Sequence, residues 1–308
     1  MAGPERGGAP AVFVGPEKLP LLEQAVLDGG GRLVPLEQAD ALVYWGDDTP
    51  QQVSEMAHDG IGWVQLPHAG VEKFVSAGII TRDAVWTSAS GTFGPQVAEH
   101  ALALMLAAAR GLHTLARQRT WTAKVTRSFA GSTVVLLGAG GIGRELVRLM
   151  EPFGCRVLAV SDSGDFAGAE RTVSRADYRD VLPEADYVVV LAPSTPATRG
   201  MIGADELAMM KPTAWVVNVA RGNLVGTDDL VTALAQGVID GAALDVTDPE
   251  PLPDGHPLWN EPRALITPHA ANPDDAYWPT LANRVRENVA RMAAGEPLVG
   301  VIDPDSGF

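Results

Sequence analysis

The first chemical signal is the run Gly138-Ala139-Gly140-Gly141-Ile142-Gly143, which follows the apolar stretch Val134-Val135-Leu136-Leu137 and opens the helical pattern Arg144 to Met150. Glycine at the first position permits a tight turn, and Gly140 permits close approach of a pyrophosphate. Gly143 lets the helix pack on the sheet, with the helix N-terminus aimed at negative charge. The phosphate contacts expected are therefore Gly138, Gly140, Gly141, Ile142 and Gly143. A plain glycine-rich turn or the loop of a methyltransferase could be written in the same letters; the strand-loop-helix context favours a dinucleotide. The next expected strand ends at Ser161-Asp162, and Asp162 lies 162 − 143 = 19 residues past Gly143. A carboxylate there can accept hydrogen bonds from a ribose diol, which favours NAD. A phosphate on that ribose would want an arginine, and none occurs from Ser161 to Glu170. NADP is not excluded.

Such a loop needs a sheet to hold it, and the chain alternates short apolar runs with helical patterns, the rhythm of a parallel α/β sheet covered by helices. In the first part, strands are expected at Ala11 to Val14, Ala41 to Trp45, Trp63 to Leu66 and Val85 to Thr87, with helices at Glu17 to Leu27 and Gln51 to His58. Pro95 then opens one long apolar helix from Gln96 to about Gln118, since proline suits the first turn. Six further strands follow: Thr133 to Leu137, Arg156 to Val160, Tyr187 to Leu191, Trp215 to Val219, Gly241 to Val246 and Ala264 to Thr267. Six is the count of a doubly wound, Rossmann-type nucleotide fold. A last helix, about Tyr277 to Ala294, stops at Gly295 with Pro297 behind it.

Three segments stand at the carboxyl ends of the later strands, where an open α/β sheet puts its ligand. They are Asn218-Val219-Ala220-Arg221-Gly222, Leu244-Asp245-Val246 through Glu250-Pro251-Leu252, and Thr267-Pro268-His269. Together the chain resembles the D-isomer-specific 2-hydroxyacid dehydrogenases, a family that includes phosphoglycerate dehydrogenase, glyoxylate/hydroxypyruvate reductase and a corepressor branch. The resemblance extends through Ala69-Gly70-Val71-Glu72, Val97-Ala98-Glu99, Leu191-Ala192-Pro193, Thr195-Pro196-Ala197-Thr198-Arg199-Gly200, Met210-Lys211-Pro212 and His256-Pro257-Leu258-Trp259.

That resemblance implies a catalytic set of Arg221, Glu250 and His269. Arg221 would grip the substrate carboxylate with two parallel hydrogen bonds and polarise the neighbouring keto oxygen. His269 would be the general acid and base, with a buried Glu250 fixing its tautomer and raising its pKa. Pro193, Thr198, Val219, Ala220 and Asp245 would contact the cofactor, and Ala69 and Gly70 would offer backbone N–H groups to the substrate. It also implies a Rossmann domain over 99–275 and a discontinuous, flavodoxin-like α/β substrate domain over 1–98 and 276–308. The implied reaction is hydride transfer between NAD(H) and a small D-2-hydroxy or 2-keto acid, in a homodimer built on the Gln96 to Gln118 helix. A dinucleotide-sensing regulator of the corepressor kind is the alternative. One departure is that family members often carry the ribose acid where Ser161 stands, one residue before Asp162.

Composition narrows the partners. The 308 residues are long enough for about two domains of 100 to 200 residues each, and 46% are hydrophobic. Against 38 Asp and Glu there are 23 Lys and Arg, a net charge of −15 with no basic run longer than two, which argues against nucleic acid and anionic membranes. The longest apolar stretch, Ala98 to Ala109, falls short of the ~20 residues of a membrane span. Cys155 is the single cysteine, so neither an intrachain disulfide nor a cysteine-rich zinc site is possible, and a reducing, cytoplasmic setting fits. The Met1 to Pro10 segment reads as a flexible tail. His58, His100 and His113 sit on helical patterns without further ligands at metal spacing, and no metal is expected. Trp45, Tyr277 and Trp278 could line a substrate pocket, with packing the plainer account. Asp47-Asp48 reads as a solvated acidic pair.

Overall fold

A computed structural model describes residues 8–46, 49–121 and 126–304. The Asp47-Asp48 pair and most of the Gly/Pro-rich start lie outside the described residues.

The first strands run β1 (Ala11–Pro16), β2 (Arg32–Leu33), β3 (Ala41–Trp45), β4 (Trp63–Gln65) and β5 (Val85–Thr87). They carry α1 (Pro20–Asp28), α2 (Pro50–Met56) and α3 (Glu72–Ser76) between them. All pairings are parallel and the order is β2-β1-β3-β4-β5, the flavodoxin order. Helix α1 starts at Pro20 rather than Glu17, because proline fits the first helical turn, where its missing N–H costs nothing. Two elements carried no sequence signal: β2 is two exposed residues, and α3 is a five-residue turn of helix.

The next stretch holds α4 (Gly94–Ala109) and α5 (Leu112–Leu115), where one continuous helix to Gln118 was expected. The break is Gly111, whose φ of +60° leaves the right-handed helix region. Then follow β6 (Thr133–Leu137), α6 (Gly141–Met150), β7 (Arg156–Val160), β8 (Arg171–Val173), β9 (Tyr187–Val190), α7 (Ala204–Met209), β10 (Trp215–Asn218), α8 (Thr227–Gln236), β11 (Gly241–Leu244) and β12 (Ala264–Ile266). The sheet has seven parallel strands, not six, in the order β12-β11-β10-β9-β6-β7-β8. The extra strand, β8, is a three-residue edge with no buried position, so no apolar run announced it. Numbered from β6, the order is 7-6-5-4-1-2-3, doubly wound with its switch point between β6 and β9. Strands β6, β9, β10 and β11 are buried at every position, as a sheet covered on both faces requires.

The chain closes with α9 (Asp274–Ala294), which packs on α1 and ends at Gly295 with φ +69°. Two units result, Met1–Phe93 with Pro273–Phe308, and Gly94–Asn272. The breaks precede the sequence boundaries of 98/99 and 275/276 because they fall where α4 and α9 begin, and each helix stays whole with one core. No helix of the described residues is long and apolar enough to cross a membrane.

Candidate active site

The glycines of the β6–α6 turn are required for different reasons. Gly138 has φ +109°, and a Cβ there would stand 2.7 Å from the backbone N of Ala192, just past β9 on the far side of the switch point. At Gly143 a Cβ would meet Phe166 Cζ at 3.3 Å and Gly138 O at 3.4 Å, so this glycine seats the helix on the strand. At Gly140 and Gly141 a Cβ would meet nothing within 4 Å. Both are exposed, Ile142 is half-buried, and no side chain caps α6. Bare backbone over an uncapped ten-residue helix fits a pyrophosphate.

Asp162 follows β7 by two residues, and the fold brings it a partner from beyond Glu170. Its Oδ1 accepts the backbone N–H of Arg175 at 2.8 Å, and its Oδ2 lies 3.3 Å from Arg175 Nε. The absence of arginine up to Glu170 therefore does not describe this corner. Arg175 arrives through β8, the strand the sequence did not announce. Ser161 turns its Oγ to Ser163 at 2.8 Å.

As the last residue of β10, the wholly buried Asn218 shapes the turn that presents Arg221: its Nδ2 donates to Arg221 O at 2.8 Å and its Oδ1 accepts from Ala220 N at 3.1 Å. Val219 and Ala220 are buried and Arg221 half-buried, with Nη1 donating to Ala220 O at 2.7 Å. Gly222 is forced by proximity, since a Cβ there would fall 1.9 Å from Thr247 O in the segment after β11. Neither Asn218 nor Gly222 stood out as a site residue in the sequence, although both lie inside the Asn-Val-Ala-Arg-Gly motif.

Past β12, His269 has φ +52°, among the described residues the one non-glycine with positive φ. That conformation costs an L-residue roughly 1–2 kcal/mol. Its Nδ1 lies 2.6 Å from Glu250 Oε1. A carboxylate can only accept, so Nδ1 carries the hydrogen and Nε2 is the nitrogen left to exchange a proton. The expectation of a buried Glu250 is corrected: the side chains of His269 and Glu250 are 49% and 41% exposed, because both sit on loops past the strand ends.

Asp245 begins the segment after β11 and is held by several groups of the protein. It is 2% exposed. Its Oδ1 accepts from Thr267 Oγ1 at 2.6 Å and Ala270 N at 2.8 Å, and its Oδ2 from Ala271 N at 3.1 Å. His100 Nε2, from α4, lies 3.1 Å from Oδ1. Burial alone would raise this carboxyl's pKa, but the bonds from His100, Thr267 and Ala270 together outweigh it and hold the group below its ordinary value. Thr198 is also turned inward: its buried hydroxyl donates to Pro193 O at 2.6 Å and accepts from Thr195 N at 2.8 Å, bracing the loop that leaves Pro193 exposed.

Because β10, β11 and β12 are parallel neighbours, Arg221, Glu250 and His269 leave the sheet at one edge, the same edge as the Gly138–Gly143 loop from β6. A guanidinium, a carboxylate and an imidazole at the same sheet edge as an uncapped helix N-terminus can hold a carboxylic acid and move a proton. Ala69 and Gly70 lie in the first unit, between β4 and α3. In that unit Tyr277 stacks on Phe93 at 5.0 Å, meets Trp278 at 4.7 Å, and donates its hydroxyl to Pro67 O at 2.9 Å. Trp278 meets Trp45 at 4.3 Å, so these aromatics pack on one another. His58 and His256 order turns, accepting from Gly60 N and Leu258 N.

Residues 102–271 match the family model described as D-isomer specific 2-hydroxyacid dehydrogenase, NAD binding domain. The chain belongs to that family. It is similar to the glyoxylate/hydroxypyruvate reductase A of Serratia proteamaculans, 33% identical over 226 residues, 69% of each chain. It is also similar to the solved D-isomer specific 2-hydroxyacid dehydrogenase of Xanthobacter autotrophicus in complex with NADPH, with TM-score 0.84 and 27% identity, covering 98% of this chain and 100% of that one. A third likeness is to the NADPH-dependent glyoxylate/hydroxypyruvate reductase of Sinorhizobium meliloti, solved with NADP and sulfate, with TM-score 0.81 and 25% identity over 97% and 100%. These are enzymes by name, and they lend the regulator reading no support.

Proposed function

We propose that this chain interconverts a small 2-keto acid and its D-2-hydroxy acid, of the glyoxylate or hydroxypyruvate class carried by its relatives' names. The bound nicotinamide dinucleotide would supply or accept the hydride. Arg221 holds the substrate carboxylate and draws electron density toward the keto oxygen. As hydride reaches the α-carbon, the C=O bond pair moves onto that oxygen, which takes the proton from His269 Nε2. Oxidation reverses each step. Glu250 holds the ring through Nδ1–H, keeping Nε2 toward the reaction. The observation that carries this reading is the 2.6 Å Glu250–His269 contact between the loops after β11 and β12, at the sheet edge where β10 presents Arg221. A panel of small keto acids with NADH or NADPH, followed by loss of reduced-nicotinamide absorbance, tests it; purified protein that binds the dinucleotide and oxidises it with no keto acid overturns it.

For the cofactor, NAD(H) is supported by the Asp162 carboxylate at the end of β7. A second reading, NADP(H), is favoured by Arg175 at 3.3 Å and by the two solved relatives that hold the phosphorylated dinucleotide. A homodimer fits the exposed apolar side chains Leu112 on α5 and Trp121 beyond it, and light scattering during gel filtration tests it; the single cysteine supports a reducing, cytoplasmic setting.

A further inference from the structure

Three successive amides of the loop after β12 are aimed at one residue. His269 N donates to Asp245 O at 2.8 Å, Ala270 N to Asp245 Oδ1 at 2.8 Å, and Ala271 N to Asp245 Oδ2 at 3.1 Å. The direction of the His269 ring, in a left-handed conformation that an L-residue does not keep unaided, depends on where that carboxylate stands. Oδ1 is fixed in turn by two side chains. Thr267 Oγ1 gives its hydrogen to Oδ1 at 2.6 Å, and His100 Nε2 stands 3.1 Å from Oδ1 and 3.0 Å from Thr267 Oγ1. The carboxylate cannot donate and the threonine hydrogen is already committed, so Nε2 carries a hydrogen shared between the two oxygens. His100 sits within the sixteen-residue helix α4, which packs on α6 and touches β10 and β11. Its ring therefore ties the loop bearing His269 to the body of the unit.

Resting on the oxidoreductase reading, we propose that His100 is a positioning residue for catalysis, acting through Asp245 and Thr267 to hold the backbone that aims His269. Asp245 thereby holds the loop through three successive backbone amides. In the sequence His100 stands on a helical pattern like any other histidine, because nothing in the letters joins residue 100 to residues 245 and 267.

The test compares His100→Leu, which removes the donor, with His100→Gln, whose Nε2–H can reach the same oxygens. A misplaced acid should lower kcat by about a hundredfold in His100→Leu, while the Kd for the reduced dinucleotide, read by fluorescence, stays at the wild-type value. His100→Gln should recover most of the lost kcat. The proposal is overturned if His100→Leu turns over like wild type, if Gln does no better than Leu at an unchanged melting temperature, or if Kd rises in step with the loss of kcat. Should His100→Leu not fold, Thr267→Val carries the same expectation of lost kcat at constant Kd, and an unchanged kcat there overturns the proposal. A readout free of turnover is hydrogen–deuterium exchange at Ala270 and Ala271, which should quicken in His100→Leu and return in His100→Gln; equal exchange in all three proteins counts against the device. Wild-type protein that turns over no keto acid, yet shows this exchange pattern, would fault the oxidoreductase reading alone.

Discussion

His269 Nδ1 and Glu250 Oε1 meet at 2.6 Å across a sequence separation of 19 residues, one from the loop after β12 and the other from the segment after β11. The contact holds the ring through Nδ1 and leaves Nε2 for the proposed proton transfer, in a solvent-exposed setting that water can partly replace. Glu250→Gln should therefore lower kcat by roughly tenfold to a hundredfold, and His269→Gln by about a hundredfold to ten-thousandfold. Steady-state kinetics on the best keto acid decides; equal losses in the two variants would contradict a supporting role for Glu250.

Arg221 is presented by a turn that Asn218 holds from inside the sheet. Lysine keeps the charge and loses the planar fork, so Arg221→Lys should raise the KM for the keto acid by roughly tenfold to a hundredfold and leave the KM for the dinucleotide near wild type. A change confined to the dinucleotide would place Arg221 elsewhere in the mechanism.

Asp162 and Arg175 form one corner, an acid and a base at opposite sides of the choice between a ribose hydroxyl and a ribose phosphate. If Asp162 binds the diol, Asp162→Ser should shift the ratio of kcat/KM for NADH over NADPH by about tenfold or more toward NADPH, the worth of a charge-assisted hydrogen bond. No shift in the ratio would show that the carboxylate does not read this ribose.

Gly222 passes so close to Thr247 O that a methyl group has no room. Gly222→Ala should destabilise the fold by about 1–3 kcal/mol through forced backbone movement, seen as a lower midpoint in urea. Wild-type stability in this variant would mean that the two loops are more yielding than their contact implies.

The depressed Asp245 carboxyl also sets an acid limit. Its folded pKa lies below the unfolded value of about 3.9, so the stability it contributes is complete above that value and drains away as pH falls through the folded pKa. Asp245→Asn should flatten stability against pH in this acid range, in urea melts from neutral pH downward. An unaltered acid limb would assign that dependence to other carboxylates.

Much of the architecture was legible in local pattern. Runs such as Val134-Val135-Leu136-Leu137 are buried on both faces, and their hydrophobicity alone marks them as interior strands. What escaped were pieces too short or too exposed to leave a pattern: β2, α3 and the edge strand β8, together with the break at Gly111, where one glycine interrupts an otherwise continuous apolar stretch.

By itself the sequence determined which chemical groups are present and on which strand ends they ride, because period and turn residues are local properties. It could therefore point to the glycine loop, Asp162, Arg221, Glu250 and His269. Only the tertiary structure decided what each group touches: that Arg175 reaches Asp162, that His100 reaches Asp245, that Glu250 stands exposed, and that Gly222 has no alternative. Those relations join residues up to 145 positions apart, as His100 and Asp245 show, and they arise when parallel strands bring their carboxyl ends to one edge of the sheet and a helix such as α4 packs against them.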